Sequence, residues 1–567
     1  MAEPELDIQS RSLGPSGQSD KRRNQKYLKL LKSLEDERSS VLPVWQDISS
    51  YILPSRGLYV SQGDKPHEKT NIYKKILNAT GTHSLNLLGA GMQGGLTSPS
   101  RPWKKLQTED EGLMKFEPVA QWLDYVDALM DGVFKRSNFY EVIHQTYIDQ
   151  AAFGISVPFI EKDFQTLVRF YIPPAGTYCV ASDDTGRVNT FVRRTWMTAV
   201  NLEKKFGRDR ISDQVKNIGK ENPYKWFEVV HFIQPREERN IIFKDRFNMP
   251  YESVWFEYAK NDMTLYEGGF EEKPFAAGRW WVNEPEVYGR SPGHMALGVV
   301  KLLQSHEAGS TKAIHKEVDP PMRVPFGYKD SLDMLPGGIN YIATNDGKDA
   351  VGKLFDMNFD YAGVEARIGR LQELIQRLFF NDLFFTIVTG KEMTATEVLQ
   401  RHEEQLIMLG PTIERQTSEV LDPIIERVFM CMLRANMIPP PPMEMIGQSL
   451  KIDYVSTLAQ AQKMLGISNM RAFKQDAMEI AQVSEDGIIK VNWEEYLDQE
   501  AFKLGIPAGI TRSQEEVAAI KEAQVQAAEQ ERQDAMMMQA ADDVKKLSQA
   551  DTSGKNALTD VVEAVSE

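Results

Sequence analysis

Two cysteines in 567 residues, Cys179 and Cys431, are too few and too far apart to supply a disulfide framework, and a reducing compartment such as a cytoplasm fits the chain. Both read as small buried apolar residues and not as a reactive pair. The N-terminus carries Glu3, Glu5 and Asp7 where a signal peptide would have basic residues and an apolar run. No stretch approaches the ~18 uninterrupted apolar residues of a membrane-spanning helix. A soluble protein without a membrane partner, retained in the cell that makes it, is expected. Cationic excess is missing too: 66 Lys and Arg against 81 Asp and Glu give a formal charge of −15. A protein that grips duplex DNA concentrates the opposite charge, so tight general DNA binding is excluded; letting DNA slide past is not.

Signatures of catalysis are equally scarce. There is no Gly-x-x-x-x-Gly-Lys-Ser/Thr loop, which excludes a phosphate-loop ATP motor, and no Gly-x-Ser-x-Gly elbow for a nucleophilic serine. The eight histidines never fall at His-Glu-x-x-His spacing. His402-Glu403-Glu404 reads as a solvated helix face, and the acids Asp183-Asp184 lie in a turn, where an Asp side chain bonds its own backbone. A dinucleotide fingerprint does occur, Gly89-Ala90-Gly91-Met92-Gln93-Gly94. That motif binds phosphate only between a strand and a helix N-terminus. Here Leu85, Leu87 and Leu88 precede it in a helix-like segment, and Pro99 and Pro102 follow, so a flexible Gly-rich turn is expected. No cofactor, metal or catalytic residue is expected.

What the chain does have is an ordinary globular mixture, 42% apolar and 26% charged, long enough for roughly three to five units at ~100–200 residues each. Residues 1–20, rich in Ser, Gly, Pro and acids, read as a disordered arm. A helix follows from Lys21, with Tyr27, Leu30, Leu31 and Leu34 on one face and the cluster Lys21, Arg22 and Arg23 as a solvated start. Helical signals such as Trp122, Val126, Leu129 and Val133 continue to about Gln150. Residues 155–281 change to β-like runs, including Val188–Trp196, Trp226–Ile233 and Val254–Tyr258. A helix from His294 to about Val318 stops at Pro320-Pro321, and residues 322–360 hold turns with short apolar runs. A second helix is expected from Tyr361 to Phe385. Its stripe is Val364, Ile368, Leu371, Ile375 and Leu378, with Arg370, Glu373 and Arg377 opposite at spacings that allow ion pairs.

The next segment, Met393-Thr394-Ala395-Thr396-Glu397-Val398, has capping-box spacing: Thr394 and Glu397 each satisfy the other's backbone N–H. This starts a helix after a short loop, 386–393, pivoting at Gly390. That helix is expected to break at Gly410-Pro411 and resume to about Asn436, before a polyproline-like connector at Pro439 to Pro442. Residues 450–510 read as mostly helical. Beyond Thr511, a composition of Ala, Gln and Glu predicts an exposed or self-associating helix, opened by Ser513 and Glu516 and fading into disorder near Gly554.

The Met-Thr-Ala-Thr-Glu-Val segment after an amphipathic helix and a short loop resembles the head-to-tail connecting (portal) proteins of short-tailed phages. Further segments agree in order over about residues 21–510: Ser98-Pro99-Ser100-Arg101-Pro102-Trp103, Tyr288-Gly289-Arg290-Ser291-Pro292-Gly293, Leu421-Asp422-Pro423-Ile424-Ile425-Glu426-Arg427 and Tyr454-Val455-Ser456-Thr457-Leu458-Ala459-Gln460. Ser291 departs from the Gly, and Thr457 from the Pro, more usual in that family.

The resemblance implies an α+β, mainly helical portal fold without enzymatic activity. Its parts would be a wing over 21–290 and 394–449, stem helices over 291–318 and 361–385, a clip over 319–360, a channel loop over 386–393 and a crown over 450–510, with the tail 511–567 outside the match. It implies a homo-oligomeric ring of about twelve subunits in head-to-tail contact, at a capsid vertex of the virion and in the host cytoplasm during assembly. Duplex DNA would pass through the channel for packaging, retention and ejection. The partners implied are the terminase large subunit, the major capsid and scaffolding proteins and the tail adaptors. Thr386, Thr389, Gly390, Lys391 and Glu392 would face DNA, and Lys329 and Asp330 are docking candidates on the clip. Two other readings remain open at this point: another structural phage protein, such as a tail adaptor or minor head protein, and a dinucleotide-binding enzyme resting on the Gly89 segment.

Overall fold

A computed structural model describes residues 17–59, 73–114, 116–243, 245–260, 262–283, 285–324, 333, 352–354, 359–385, 409–445, 447, 450–456, 473–480, 491–493, 495–497, 500 and 514–548. The chain divides into two compact units. The first comprises 1–105, 126–440 and 452–466; the second comprises 106–125, 441–451 and 467–567. In chain order the elements begin with helices α1 (Gly17–Arg38), α2 (Leu42–Tyr51) and α3 (Thr80–Leu96), strand β1 (Lys104–Thr108), and helices α4 (Glu111–Met114), α5 (Glu117–Arg136) and α6 (Phe139–Phe153). The short strands β2 (Ile155–Ser156), β3 (Phe159–Asp163) and β4 (Leu167–Tyr171) follow.

The first unit is built around a five-stranded antiparallel sheet in the order β5-β6-β7-β8-β9. Its strands are β5 (Tyr178–Ser182), β6 (Val188–Thr198), β7 (Trp226–Pro235), β8 (Tyr251–Glu257) and β9 (Thr264–Phe270), with helices α7 (Ala199–Phe206) and α8 (Asp213–Glu221) between β6 and β7. Alternate residues of a strand point to opposite faces, and both faces of this sheet are covered. On one, Tyr27, Leu31 and Leu34 of α1 bury against Cys179, Val192, Val230, Phe232, Val254 and Phe256. On the other, Ala199 and Leu202 of α7 and Val215 of α8 pack on Val229, Trp255 and Leu265. The β-like runs thus mark a real sheet, and both cysteines are buried and free. Three details of α1 differ from expectation. Leu30 is exposed, because the i, i+4, i+7 set of Tyr27, Leu31 and Leu34 is sufficient to meet the sheet. The basic start is not merely solvated: Arg23 pairs with Glu267 at 2.7 Å and Lys21 with Asp262 at 2.9 Å. The helix also begins at Gly17, inside the segment read as a disordered arm.

After β10 (Gly278–Arg279) comes α9 (Pro292–Val318), ending before the Pro320-Pro321 pair; α10 (Tyr361–Leu378) packs against it, with β11 (Met322–Arg323) and β12 (Gly352–Lys353) paired between them. The single helix expected over 361–385 is two. Phe379 ends α10, Phe380 takes a left-handed φ of 54°, and α11 (Asn381–Phe385) starts in a new direction. Hydrophobic periodicity runs on through this break because Phe379 and Leu383 are buried on both sides of it.

The Gly89–Gly94 segment is a correction as well. It lies inside α3 and is not a turn. A Cβ on Gly89 would stand 2.5 Å from Ile148 of α6, and one on Gly91 would stand 2.4 Å from the Phe384 ring. These glycines are spaces for neighbouring helices, which excludes the strand–loop–helix context of a dinucleotide site.

Among the described residues the helix break at Gly410-Pro411 is absent too: 409–416 is helical. The irregularity lies at Thr417–Leu421, a π-turn where Asp422 N–H reaches back to the Thr417 carbonyl, ahead of α12 (Asp422–Arg434). Pro423 has no N–H to give a regular ladder and its ring crowds the carbonyl four residues back, so widening the turn relieves both faults. Leu450–Tyr454, expected to be helical, is strand β13. In the second unit α13 (Gln514–Ser548) is a 35-residue helix whose described side chains are nearly all exposed, Met536, Met537 and Met538 among them. Ser513 lies outside the described residues.

Candidate functional site

The paired helices α9 and α10 are the candidate site, and the local chemistry at the root of α9 explains why its motif reads as it does. Ser291 is extended (φ −143°, ψ 167°) and its hydroxyl caps the helix by accepting from His294 N–H, while also donating to the Ala152 carbonyl at 2.7 Å. Pro292 occupies the first turn, where its missing N–H costs nothing. Gly293 must be glycine because a Cβ would stand 2.5 Å from the Ala152 carbonyl oxygen. Gly154, which ends α6 at φ +83°, and Gly289 face one another with equal closeness: each Cβ would meet the other's carbonyl oxygen, at 2.0 and 2.4 Å. Tyr288 packs edge-on to Trp45, 5.6 Å between centroids, and Trp45 Nε1 donates to the Phe153 carbonyl. Tyr288-Gly289-Arg290-Ser291-Pro292-Gly293 is therefore a clasp that fixes where α9 leaves the α6 terminus. Burial, with a smaller contribution from Arg290, holds the His294 imidazole down to about 4, and Glu286 opposes them.

Further along, Gln304 is buried and its amide binds both Leu77 N–H and Asn78 N–H at 2.7 and 2.9 Å and donates to the Asn78 carbonyl at 2.7 Å. Lys301 pairs with Asp47 of α2 at 2.6 Å. The start of α10 is capped by Asp360, which accepts from Gly363 N–H at 3.0 Å; that cap was not anticipated, though Asp before a helical stripe is its usual signal. Ile375 is fully buried, and Val364, Ile368, Leu371 and Leu378 are half-buried. Arg370, Glu373 and Arg377 all sit on the exposed face as their spacing predicts. The ion pairs that spacing allows do not form: among the described residues the only bond from the trio's side chains runs from Arg370 Nε to the Ala366 carbonyl at 3.4 Å. Three solvated charges are left on the face of α10 turned away from its own core.

The turn after α10 is held from α3. With its amide oriented to satisfy both neighbours, Asn381 donates to the Ser84 carbonyl and accepts from the Ser84 hydroxyl, each at 3.0 Å, and Phe384 seats over Gly91. Sequence reasoning missed this bracket because its signal, a helical glycine opposite an aromatic, has no spacing of its own. Thr386, Thr389, Gly390, Lys391, Glu392, Thr394 and Glu397 lie outside the described residues, as do Lys329, Asp330, Thr457 and His402-Glu403-Glu404. Asp183 does form the expected turn, accepting from Thr185 N–H and Arg187 N–H. Among the described residues no three His, Cys, Asp or Glu side chains are grouped as a metal site, and no helix is long and apolar enough to cross a membrane.

The family model described as bacteriophage head to tail connecting protein matches residues 24–511, most of the chain and all of the α9–α10 region. The chain belongs to this family. Two phage proteins resemble it over nearly their whole length. The probable portal protein of Bordetella phage BPP-1 is 36% identical over 538 residues, 94% of this chain and 97% of that one. The portal protein of Salmonella phage epsilon15 is 34% identical over 546 residues, 95% of this chain and 98% of that one. Similarity to a chain in the virion of a native gene transfer agent particle is slight, with a TM-score of 0.33 and 10% identity over 70% of this chain and 85% of that one. As a connector, the chain has a portal protein's α+β fold, and the clasp at Gly154 and Gly289 roots the longer helix of its α9–α10 pair.

Proposed function

We propose that this connector is the subunit of a ring of about twelve copies, closed by head-to-tail contacts, through which duplex DNA is packaged, retained and ejected at one vertex of a virion. Family membership over residues 24–511 carries the reading. The α9–α10 pair supports it, since it presents Arg370, Glu373 and Arg377 unpaired and outward, as a helix pair lining a wet passage or an adjoining copy would. In this reading α9 with α10 and α11 is the stem, and the residues between α9 and α10 are the clip. Lys329 and Asp330 there contribute to docking the terminase large subunit and then the tail adaptors. Major capsid and scaffolding proteins surround the wing during assembly in the host cytoplasm, and no catalytic step is assigned to the chain. Electron microscopy of the purified protein tests the ring: closed particles with a central hole wide enough for duplex DNA are expected, and a monomer at micromolar concentration overturns it.

Residues 386–393 are the channel loop in this reading. Lys391 is its cation, and about twelve copies would form a belt of positive charge beside the phosphates in an otherwise acidic protein. Such contacts attract the backbone without reading sequence, so they restrain DNA without fixing it. Lys391→Ala rings should assemble normally and lose packaged DNA faster than wild-type rings, most clearly at low salt, where screening is weakest. DNA retention equal to wild type at low and high salt alike would remove Lys391 from the channel.

A further inference from the structure

One cluster of charge lies outside the α9–α10 region, on the sheet of the first unit. Arg193 of β6, His231 of β7 and Trp255 of β8 stand side by side in the sheet register, on the face that α7 and the β3–β4 hairpin cover. The Arg193 guanidinium lies 5.0 Å from the centre of the Trp255 ring, 4.8 Å from Tyr171 and 5.5 Å from Phe159. Lys205 of α7 places its ammonium over the same Trp255 ring at 4.3 Å. His231 stacks on that ring at 3.8 Å and spends Nε2 on the Ser253 hydroxyl at 3.0 Å.

Two cations thus share one indole, and among the described residues neither is within ion-pairing distance of a carboxylate. Glu161 is the acid whose charge both Lys205 and Tyr171 feel, but it forms no ion pair with Lys205. Arg193 Nε is enclosed without a hydrogen-bond partner, and the enclosed Tyr171 hydroxyl has the Arg193 guanidinium beside it. Like charges brought together repel, and a buried donor that has lost water and gained nothing is unfavourable. Cation–π contact with Trp255 offsets part of this but satisfies no N–H or O–H. Besides His231 Nδ1, which is also enclosed without a partner, what is left unmet is a donor or a positive charge. An acceptor with several oxygens and negative charge answers all of it at once, as when guanidinium and ammonium groups converge on phosphate or carboxylate.

We propose that Arg193, Lys205 and Tyr171 form an oxyanion-binding site beside Trp255 on the sheet of the first unit. The chemistry is shared by free inorganic phosphate and by an acidic side chain of a second copy of this chain, and the experiment separates the two. Equilibrium dialysis of the full chain against labelled phosphate is run on dissociated chain and on assembled protein. Only the comparison between those two forms rests on the ring reading. Dissociated wild-type chain is expected to bind about one phosphate, and Arg193→Gln and Lys205→Gln each to weaken it by about tenfold or more. Lys204→Gln, one residue away and outside the cluster, should leave binding unchanged. Lys205 is an exposed residue, so its variant keeps the fold and the test stands even where Arg193→Gln unfolds. Phosphate bound equally by assembled protein identifies a free anion as ligand; binding confined to dissociated chain identifies a neighbouring carboxylate as the resident group. No phosphate bound by dissociated chain, or binding that both glutamine variants retain, overturns the site.

Discussion

A Gly154→Ala chain should fail to accumulate as soluble, assembled protein. Gly154 ends α6 with φ at +83°, a conformation that costs an alanine about 1 kcal/mol by itself. The larger cost is steric. The added methyl would stand 2.0 Å from the Gly289 carbonyl oxygen and 2.5 Å from its carbon, and these are backbone atoms with no rotamer to yield. Nor is the backbone free to move, since Trp280 N–H donates to the Gly154 carbonyl and Trp281 and Arg290 bond each other in both directions. Relief therefore means opening the clasp that roots α9, and a loss of about 4 kcal/mol or more is expected. Gly186→Ala is the matched control: φ is +78° there too, but its Cβ would meet open space, so only the ~1 kcal/mol conformational cost applies. Soluble yield and urea midpoints of the two variants make the comparison. Equal stability would mean that the α6–α9 clasp does not govern the fold.

The contrast between those two glycines shows where sequence stops being legible. Both are glycines beside turns, and nothing in the flanking residues ranks them; the difference is a carbonyl 135 residues away. Local signals fared better. Pro320-Pro321 closes α9 as expected because the missing proline N–H acts within one turn, although the helix opens at Pro292, two residues before the expected His294; the outward trio Arg370, Glu373 and Arg377 follows from helical period alone. Period misled at Phe379-Phe380, where apolar residues continue in helical rhythm while Asn381 and Phe384 bind α3 and turn the chain. It misled again at Gly89–Gly94, because a glycine that admits a neighbouring helix looks the same in sequence as a glycine that makes a turn. The parts assigned to DNA and to docking partners came from family order, and no spacing rule predicts which side of a ring a loop will face.

Substituting Glu272 should be nearly as damaging as Gly154→Ala, through charge instead of shape. Its carboxylate receives Arg427 Nη1 at 2.5 Å and Arg434 Nη2 at 2.9 Å, and Glu271 also pairs with Arg434. Arg427 is 2% exposed, so in Glu272→Ala its guanidinium stays buried with that carboxylate gone and the Phe270 ring 5.4 Å away. Removing one partner of a buried pair costs about 3–5 kcal/mol, far more than an exposed pair is worth. Acid should have the same effect in the unchanged protein. Burial pushes the Glu272 carboxyl up, but the Arg434 hydrogen bond and the Arg427 and Arg434 charges outweigh it, so the group sits below the usual glutamate range. A carboxyl depressed on folding contributes fully above its unfolded value, about 4.3, and loses that contribution as pH falls through the folded value. Glu272→Gln keeps the shape and removes the titration. It should be less stable than wild type at neutral pH and lose less stability between neutral pH and acid, so that the two curves converge. Parallel pH–stability curves for wild type and Glu272→Gln would show that the ion pair is not what holds α12 to the sheet.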